Sequence, residues 1–285
     1  MIQTVFAHEK SLSLIECFPR SGSTVVVSNL AQHCLNRKTS YSELNINSIR
    51  YELDPKKSIH QYKNFGLLVR EPVDRFESFF VSKICKGEPK SVMAVLALID
   101  QELYQLLSVN NLKFVKKMKP YFQSLSPSLD LLNQYLHPSF SIHATKIHAL
   151  NLRLMDFNIK SFVQLILDKA IPPDIHLIPQ STLKKYQLCS YTNLFRLCNF
   201  EQFTDWYSRT TGDTFSLSYN STQPNNRLLF KKVDVSSFAT VAEVRHLLHQ
   251  NLSPAKYALI TDEIRDKIIS IYSGDHSLFQ MCFNG

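Results

Sequence analysis

The residues best suited to chemistry in this 285-residue chain lie in the stretch FPRSGST, residues 18–24. An arginine, hydroxyl side chains and a glycine follow one another there, as Arg20, Ser21, Gly22, Ser23 and Thr24. A guanidinium forms strong, often bidentate hydrogen bonds to phosphate oxygens, and hydroxyls supply further donors. Glycine has no Cβ, so the backbone can come close to a ligand. This composition predicts an anion-binding loop.

The segments on either side of the stretch are those that an anion-binding loop requires. The apolar run SLSLIECF (11–18) predicts a buried strand, and residues 24–35 predict a helix. The first N–H groups of a helix have no intrahelical partner and, together with the helix dipole, favour a bound anion. A plain strand–turn–helix with a serine or threonine N-cap explains the stretch equally well. The first glycine and the lysine of GxxxxGK[ST] are absent, which argues against a nucleoside triphosphatase.

A second arginine follows a second apolar run. NFGLLVR (64–70) predicts a strand that ends at Arg70, and residues 73–85 predict a helix that carries Ser78. Ligands of open parallel sheets bind beyond the carboxyl ends of the strands, so we expect Arg20 and Arg70 at the same edge.

Both arginines near this second strand also have simpler interpretations. Arg70 fits a surface charge at a strand end. Arg75 fits either a solvated helix residue or a partner of Glu71 across one helical turn.

The rest of the sequence predicts a single domain over residues 1–285. KTSYSELN (38–45) predicts a further strand, residues 90–170 are mostly helical in pattern, and a short strand is expected within 180–200. Residues 260–280 predict one amphipathic helix with Thr261 as N-cap. Alternating strands and helices indicate an α/β fold with a parallel sheet flanked by helices.

Composition limits the class of partner and the compartment. The net charge of +8 favours an anionic partner such as a nucleotide, nucleic acid, membrane surface or acidic glycan. The six cysteines form no zinc pattern, which indicates reduced thiols, a cytoplasmic protein and no metal site. MIQTVFAHEK lacks the apolar region of a signal peptide, and no apolar run is long enough to span a membrane.

Four segments together resemble the sulfotransferases. FPRSGST resembles their 5′-phosphosulfate loop, and VREPVDRFESFF resembles the VR[DE]PxxRxxS 3′-phosphate motif of the carbohydrate sulfotransferases. DIHLIPQ (174–180) is similar to the acid–x–His–x–x–Pro–Gln motif of that group, and IYSGDHSLF (271–279) to its Tyr–x–x–Asp–x–x–Phe ending.

This resemblance implies a P-loop NTPase-like sulfotransferase fold and the donor 3′-phosphoadenosine 5′-phosphosulfate (PAPS), with adenosine 3′,5′-bisphosphate (PAP) as product and no metal. Residues 20–24 would then hold the 5′-phosphate and sulfate, while Arg70 and Ser78 would hold the 3′-phosphate. Arg20 would stabilise charge on the bridging oxygen, because an arginine stays protonated and cannot act as a general acid.

His176 is the first candidate for the base that takes the acceptor proton, with Asp174 orienting it. A histidine between prolines also fits a role in packing its loop. Leu177 replaces the family's aromatic residue, and FRLCNF (195–200) lacks the usual glutamate, so the acceptor side departs from the family more than the donor side does.

The resemblance leaves the acceptor open: a sugar or a small polar metabolite, sulfated on a hydroxyl or an amine. We expect neither nucleic acid nor a membrane as partner, and the sequence gives no oligomeric state. Two alternatives are a P-loop kinase of small molecules, which requires the absent lysine, and a non-catalytic nucleotide- or nucleic-acid-binding protein.

Overall fold

A four-stranded sheet and a set of packed helices make up the described part of the chain in the computed structural model. The residues described are 4–18, 23–35, 49, 52–100, 102–103, 112–171, 174, 176–184, 191–216 and 230–282. The predicted strand at 38–45 lies outside these residues.

The strands and helices follow one another in the chain as β1 (Val5–His8), β2 (Ser13–Cys17), α1 (Ser23–Leu35), β3 (Asn64–Val69), α2 (Pro72–Phe79), α3 (Pro89–Ile99), α4 (Leu112–Lys117), α5 (Lys119–Gln123), α6 (Leu129–Tyr135), α7 (Ala144–Met155), α8 (Ile159–Lys169), α9 (Gln180–Leu183), β4 (Asn193–Arg196), α10 (Phe200–Thr211), β5 (Lys231–Val233), α11 (Val241–His249), β6 (Leu252–Pro254), α12 (Asp262–Ile271) and α13 (Ser273–Met281). Short 3₁₀ helices occur at Glu9–Ser11, Ile59–Gln61, Pro138–His143 and Leu197–Asn199, and a π-helical turn at Phe80–Cys85 continues α2.

The sheet has the order β1-β2-β3-β4 and is mostly parallel. β2 pairs with β3 and β3 with β4 in parallel, whereas β1 pairs with β2 antiparallel. The predicted strands β2 and β3, and the short strand expected within 180–200, are therefore confirmed, and the fold is α/β with a parallel-dominated sheet flanked by helices. β1 is an addition that the sequence patterns did not predict.

Successive side chains of a strand point to opposite faces of the sheet, and both faces of this sheet carry apolar side chains. One face packs against α1 and α10 through a core that contains Phe6, Ile15, Cys17, Val26, Leu30, Leu68, Phe203 and Trp206. The other face packs against α13 through Val5, Leu14, Leu67, Val69, Leu278 and Phe279. Gly66 in β3 allows α10 to pack closely on the first of these faces, because a Cβ there would lie 2.6 Å from the indole of Trp206.

The chain divides into two compact units, each built from separate stretches of sequence. The first contains residues 1–75, 179–227 and 272–285, and holds the four-stranded sheet. The second contains residues 76–178 and 228–271. It is mainly helical, with a two-stranded parallel sheet of β5 and β6. The expected single domain over 1–285 stays a prediction.

The second unit has an aromatic and partly polar core. The ring of Phe162 lies within about 6 Å of the rings of Phe76 and Phe80, measured between centroids. Arg245 is buried and donates from Nε to the Cys85 carbonyl at 2.8 Å, where the π-helical turn ends. This bond gives a partner to a carbonyl at the end of the helix, where the last carbonyls have no intrahelical donor.

The predicted helix over 260–280 is two helices, α12 and α13, separated at Tyr272. The predicted N-cap is confirmed: Thr261 Oγ1 accepts from the Ile264 N–H at 3.3 Å. Across the described residues, no helix is both long enough and apolar enough to cross a membrane.

Candidate functional site

Three parallel strands end at one edge of the sheet. Cys17 pairs with Leu68, and Val69 pairs with Arg196, so β2, β3 and β4 all present their carboxyl ends there. The FPRSGST stretch follows β2, and Arg70 follows β3 directly. This is the edge at which ligands of open parallel sheets bind.

The structure describes only part of the predicted anion loop. Arg20, Ser21 and Gly22 lie outside the described residues, and their roles stay predictions. Ser23 is the buried first residue of α1. Thr24 continues α1, but its side chain is outside what the structure describes.

The helix that follows the loop is anchored by a buried asparagine. Asn29 Nδ2 donates to the carbonyls of Val25 and Ser216, each at 2.9 Å. Its Oδ1 accepts from the Ser216 N–H at 2.7 Å. These three bonds use both ends of the side-chain amide and fix α1 to the segment that follows α10.

The guanidinium of Arg70 already binds a carboxylate in the bidentate manner. Its Nε lies 2.9 Å from Asp74 Oδ2, and its Nη2 lies 3.1 Å from Asp74 Oδ1. The Arg70 side chain is 16% exposed. The two parallel N–H···O bonds to Asp74 fix the plane of this guanidinium.

The helix after Arg70 begins with a cap that the sequence supports. Pro72 occupies the first helical position, where its missing N–H costs nothing. Glu71 Oε2 accepts from the Asp74 N–H at 2.6 Å. This fixes the start of α2 and places Asp74 in its first turn, facing Arg70.

The backbone of Arg70 is held by a second amide side chain. Gln180 Oε1 accepts from the Arg70 N–H at 3.1 Å, and Gln180 Nε2 donates to the Arg70 carbonyl at 2.8 Å. Gln180 is the first residue of α9 and is fully buried. The PQ of the DIHLIPQ segment therefore contacts the strand end that carries Arg70.

A buried carboxylate supports this arrangement. Asp275, in the first turn of α13, accepts from the N–H groups of Gln180 and Ser181 and from the Ser181 hydroxyl, each at 2.8 Å. Arg75 Nη1 lies 3.4 Å from Asp275 Oδ2. Gly274 lets α13 come this close, since a Cβ there would lie 2.8 Å from Ser181 Oγ.

The solvated interpretation of Arg75 is wrong. Arg75 is 2% exposed and pairs with Asp275, which lies 200 residues later in the chain. No local pattern could have shown this partner. The Asp of the IYSGDHSLF segment was the only signal, through the resemblance.

A further arginine at the same edge was missed. Arg196 ends β4, is buried, and donates from Nε to the Phe279 carbonyl at 3.1 Å. Its guanidinium stacks on the Phe279 ring at 4.3 Å from the centroid. These contacts tie β4 to the end of α13, where a positive charge suits the helix dipole.

Ser78 lies near the end of α2, within the second unit. Its carbonyl accepts a hydrogen bond from the Ser82 hydroxyl, and its side chain is half-buried. The predicted contact with a 3′-phosphate stays a prediction.

His176 also lies in the second unit, in a turn held by Asp174. Asp174 Oδ1 accepts from the His176 peptide N–H at 2.8 Å, and Oδ2 accepts from the Ser91 hydroxyl at 2.6 Å. Asp174 thus orients the backbone of His176 and makes no hydrogen bond to its ring. Among the described residues, no group of three or more His, Cys, Asp or Glu side chains could hold a metal ion.

One comparison with known proteins gives a match. A family model described as "Sulfotransferase family" matches residues 26–282, which is most of the chain. The matched region begins after FPRSGST and includes Arg70, Gln180 and Asp275. No curated protein and no solved structure matches the chain.

Proposed function

The chain belongs to the sulfotransferase family, and we propose that it moves the sulfuryl group of PAPS to a hydroxyl or amine of a sugar or small polar metabolite. The observation that carries this proposal is Arg70 at the carboxyl end of β3, on the edge where the FPRSGST stretch leaves β2. The cytoplasmic location that the cysteines suggest stays a prediction.

The residues of the edge suit the phosphate groups of such a donor. Arg70 supplies a planar cationic fork that binds the Asp74 carboxylate, another oxyanion, in bidentate fashion. Ser23 begins α1, where N–H groups without intrahelical partners favour anions. In the proposed assignment, Arg20 to Thr24 hold the 5′-phosphate and sulfate, and Arg70 with Ser78 holds the 3′-phosphate.

The proposed reaction is an in-line displacement at sulfur. The acceptor oxygen or nitrogen forms a bond to sulfur while the bond from sulfur to the bridging phosphate oxygen breaks. Positive groups near the bridging oxygen stabilise the charge that develops on it, and we assign this role to Arg20. The proton of the acceptor passes to a base, for which we propose His176.

Replacing the proposed base should affect turnover and leave donor binding intact. We expect His176→Ala to bind PAP as the wild type does while kcat falls about 100-fold or more, the usual scale of general base catalysis. Added imidazole should restore part of the activity. A variant with unchanged kcat, or one that imidazole does not rescue while its unfolding midpoint has fallen, would leave His176 with a packing role only.

Calorimetry with PAP tests the proposed function. We expect the wild-type protein to bind PAP in the presence of EDTA with a Kd of about 10 µM or below, within the range typical of enzyme substrates. Sulfate transfer from labelled PAPS to a panel of sugars, phenols and amines then identifies the acceptor. Binding of ATP with magnesium, and none of PAP, would contradict the proposal and favour the kinase alternative.

A further inference from the structure

We propose that Gln180 is a positioning residue for donor binding, which sets the direction of Arg70 by clamping its backbone. The inference rests on the proposed function, because it takes Arg70 as a ligand of the 3′-phosphate. It goes further by assigning a task to a residue that touches neither donor nor acceptor in that proposal.

Two hydrogen bonds join the side-chain amide of Gln180 to the backbone N–H and the backbone carbonyl of Arg70. The side-chain carbonyl accepts from the Arg70 N–H at 3.1 Å, and the side-chain NH₂ donates to the Arg70 carbonyl at 2.8 Å. An antiparallel neighbour strand exchanges the same pair of bonds. The side-chain amide of Gln180 thus takes the place that a paired residue on a neighbouring strand would have.

This clamp lies where the ladder of the sheet ends. Val69 is the last residue of β3, and it pairs with Arg196, the last residue of β4. Arg70 is the next residue along the chain. Gln180 therefore adds one more pair of ladder-like hydrogen bonds after the last residue of β3. It does so at Arg70, the residue that we assign to the donor.

Gln180 is itself held by a rigid support. Its own N–H donates to Asp275 Oδ2 at 2.8 Å, and Asp275 also pairs with Arg75. Arg70 and Arg75 flank the turn from β3 into α2. One buried network therefore fixes the backbone before this turn and a side chain after it.

Such a support matters because bidentate recognition tolerates little displacement. A misplacement of about 1 Å in a positioning group can cost about 100-fold in rate. Arg70 without Gln180 would keep its charge and its Asp74 partner, but the peptide that carries it would lose two bonds. We therefore expect PAP binding to weaken even though every proposed phosphate ligand is present.

Two substitutions of Gln180 and one matched control test the clamp. Gln180→Ala removes both bonds, and Gln180→Met removes both bonds while keeping the length of the side chain. Ser181→Ala is the control, because it removes a 2.8 Å bond to the same Asp275 from the neighbouring residue and leaves the clamp intact.

Two measurements are needed, hydrogen exchange at the Arg70 amide and calorimetry with PAP. In Gln180→Ala we expect at least 10-fold faster exchange at Arg70 and a Kd for PAP raised about 10-fold, with the binding stoichiometry unchanged. Gln180→Met should weaken PAP binding to a similar extent, and Ser181→Ala should match the wild type in both. KM for PAPS should rise more than kcat falls.

The outcomes separate this inference from the proposed function. If the wild type binds PAP and folded Gln180→Ala binds it equally well, the positioning role is overturned and the proposed function stands. If Gln180→Ala does not fold, Gln180→Met, which leaves no cavity, decides in the same way. If the wild type does not bind PAP, the proposed function and the donor-positioning role both fall, while the Arg70 exchange rate still reports whether the backbone clamp exists.

Discussion

Arg70→Ala is expected to raise the Kd for PAP about 100-fold or more. A hydrogen bond to a charged group contributes about 1.5–3 kcal/mol, so the loss of a bidentate contact costs about 3 kcal/mol or more. Arg70→Lys keeps the charge and loses the planar fork, and it should lie between alanine and wild type. Calorimetry in EDTA at fixed ionic strength measures all three proteins.

The control for this substitution is an arginine that carries the same charge without the proposed role. Arg209→Ala removes an exposed arginine from α10, in the same unit. Its Kd for PAP should stay within about twofold of the wild type, because exposed charges are screened by salt. Equal weakening by Arg209→Ala and Arg70→Ala would mean that net charge, and not a site at Arg70, determines binding.

Asp74 complicates the result in a way that a double substitution resolves. Arg70→Ala leaves the Asp74 carboxylate, which is 20% exposed, without its bidentate partner and close to the proposed 3′-phosphate. Part of the lost affinity would then come from repulsion. Arg70→Ala combined with Asp74→Ala should recover about 10-fold of the affinity if repulsion contributes about 1.4 kcal/mol. No recovery would assign the whole loss to the guanidinium.

The parallel part of the sheet could be predicted because each of its strands is recognisable from its own residues. SLSLIECF and NFGLLVR are apolar runs buried on both faces. β1 could not, because its four residues are joined to β2 by a turn without glycine, proline or asparagine. That turn uses the His8 Nδ1, which accepts from the Ser11 N–H at 3.2 Å, and a left-handed Leu12 at φ 52°. Leucine seldom signals such a conformation.

The separation of α12 from α13 has the same kind of cause. Ile264, Ile268 and Tyr272 continue one helical stripe and are all buried, so periodicity predicts one helix. The helix is interrupted at Tyr272, the N-cap of α13, and α13 brings Gly274 and Asp275 against α9. The interruption is required by a contact between segments that are distant in the chain. The spacing of apolar residues does not indicate such a contact.

In the candidate site, too, some residues could be predicted from local sequence and others could not. Arg70 could be found from sequence because a charged residue at the end of an apolar run has a defined place in a parallel sheet. The roles of Gln180 and Asp275 could not, since each depends on a partner far away in the chain. The motif resemblance marked both segments without indicating which groups they contact.

Asp275→Ala is expected to lower the free energy of unfolding by about 3–5 kcal/mol. Removing one partner of a buried ion pair leaves the other charge without compensation, and Arg75 is 2% exposed. The N–H groups of Gln180 and Ser181 would lose their acceptor as well. Asp275→Asn keeps the shape and loses the charge, so it should cost less than alanine does.

Trp206 makes the measurement specific to the first unit. It is the only tryptophan of the chain, is 7% exposed, and packs on Phe195 with ring centroids 5.2 Å apart. Its fluorescence in a urea titration therefore reports the unfolding of the sheet and its helices. Asp205→Asn, an exposed carboxylate of α10, is the control and should change stability by less than about 0.5 kcal/mol.

Replacing both partners separates the pair from the burial of charge. In Arg75→Met with Asp275→Leu, no charge remains buried, so we expect more than half of the stability lost in Asp275→Ala to return. The helix start at Gln180 would still lack its acceptor, which sets the remaining loss. If Asp275→Ala alone costs less than about 1 kcal/mol, the carboxylate does not hold this part of the fold, and the support proposed for Gln180 is lost with it.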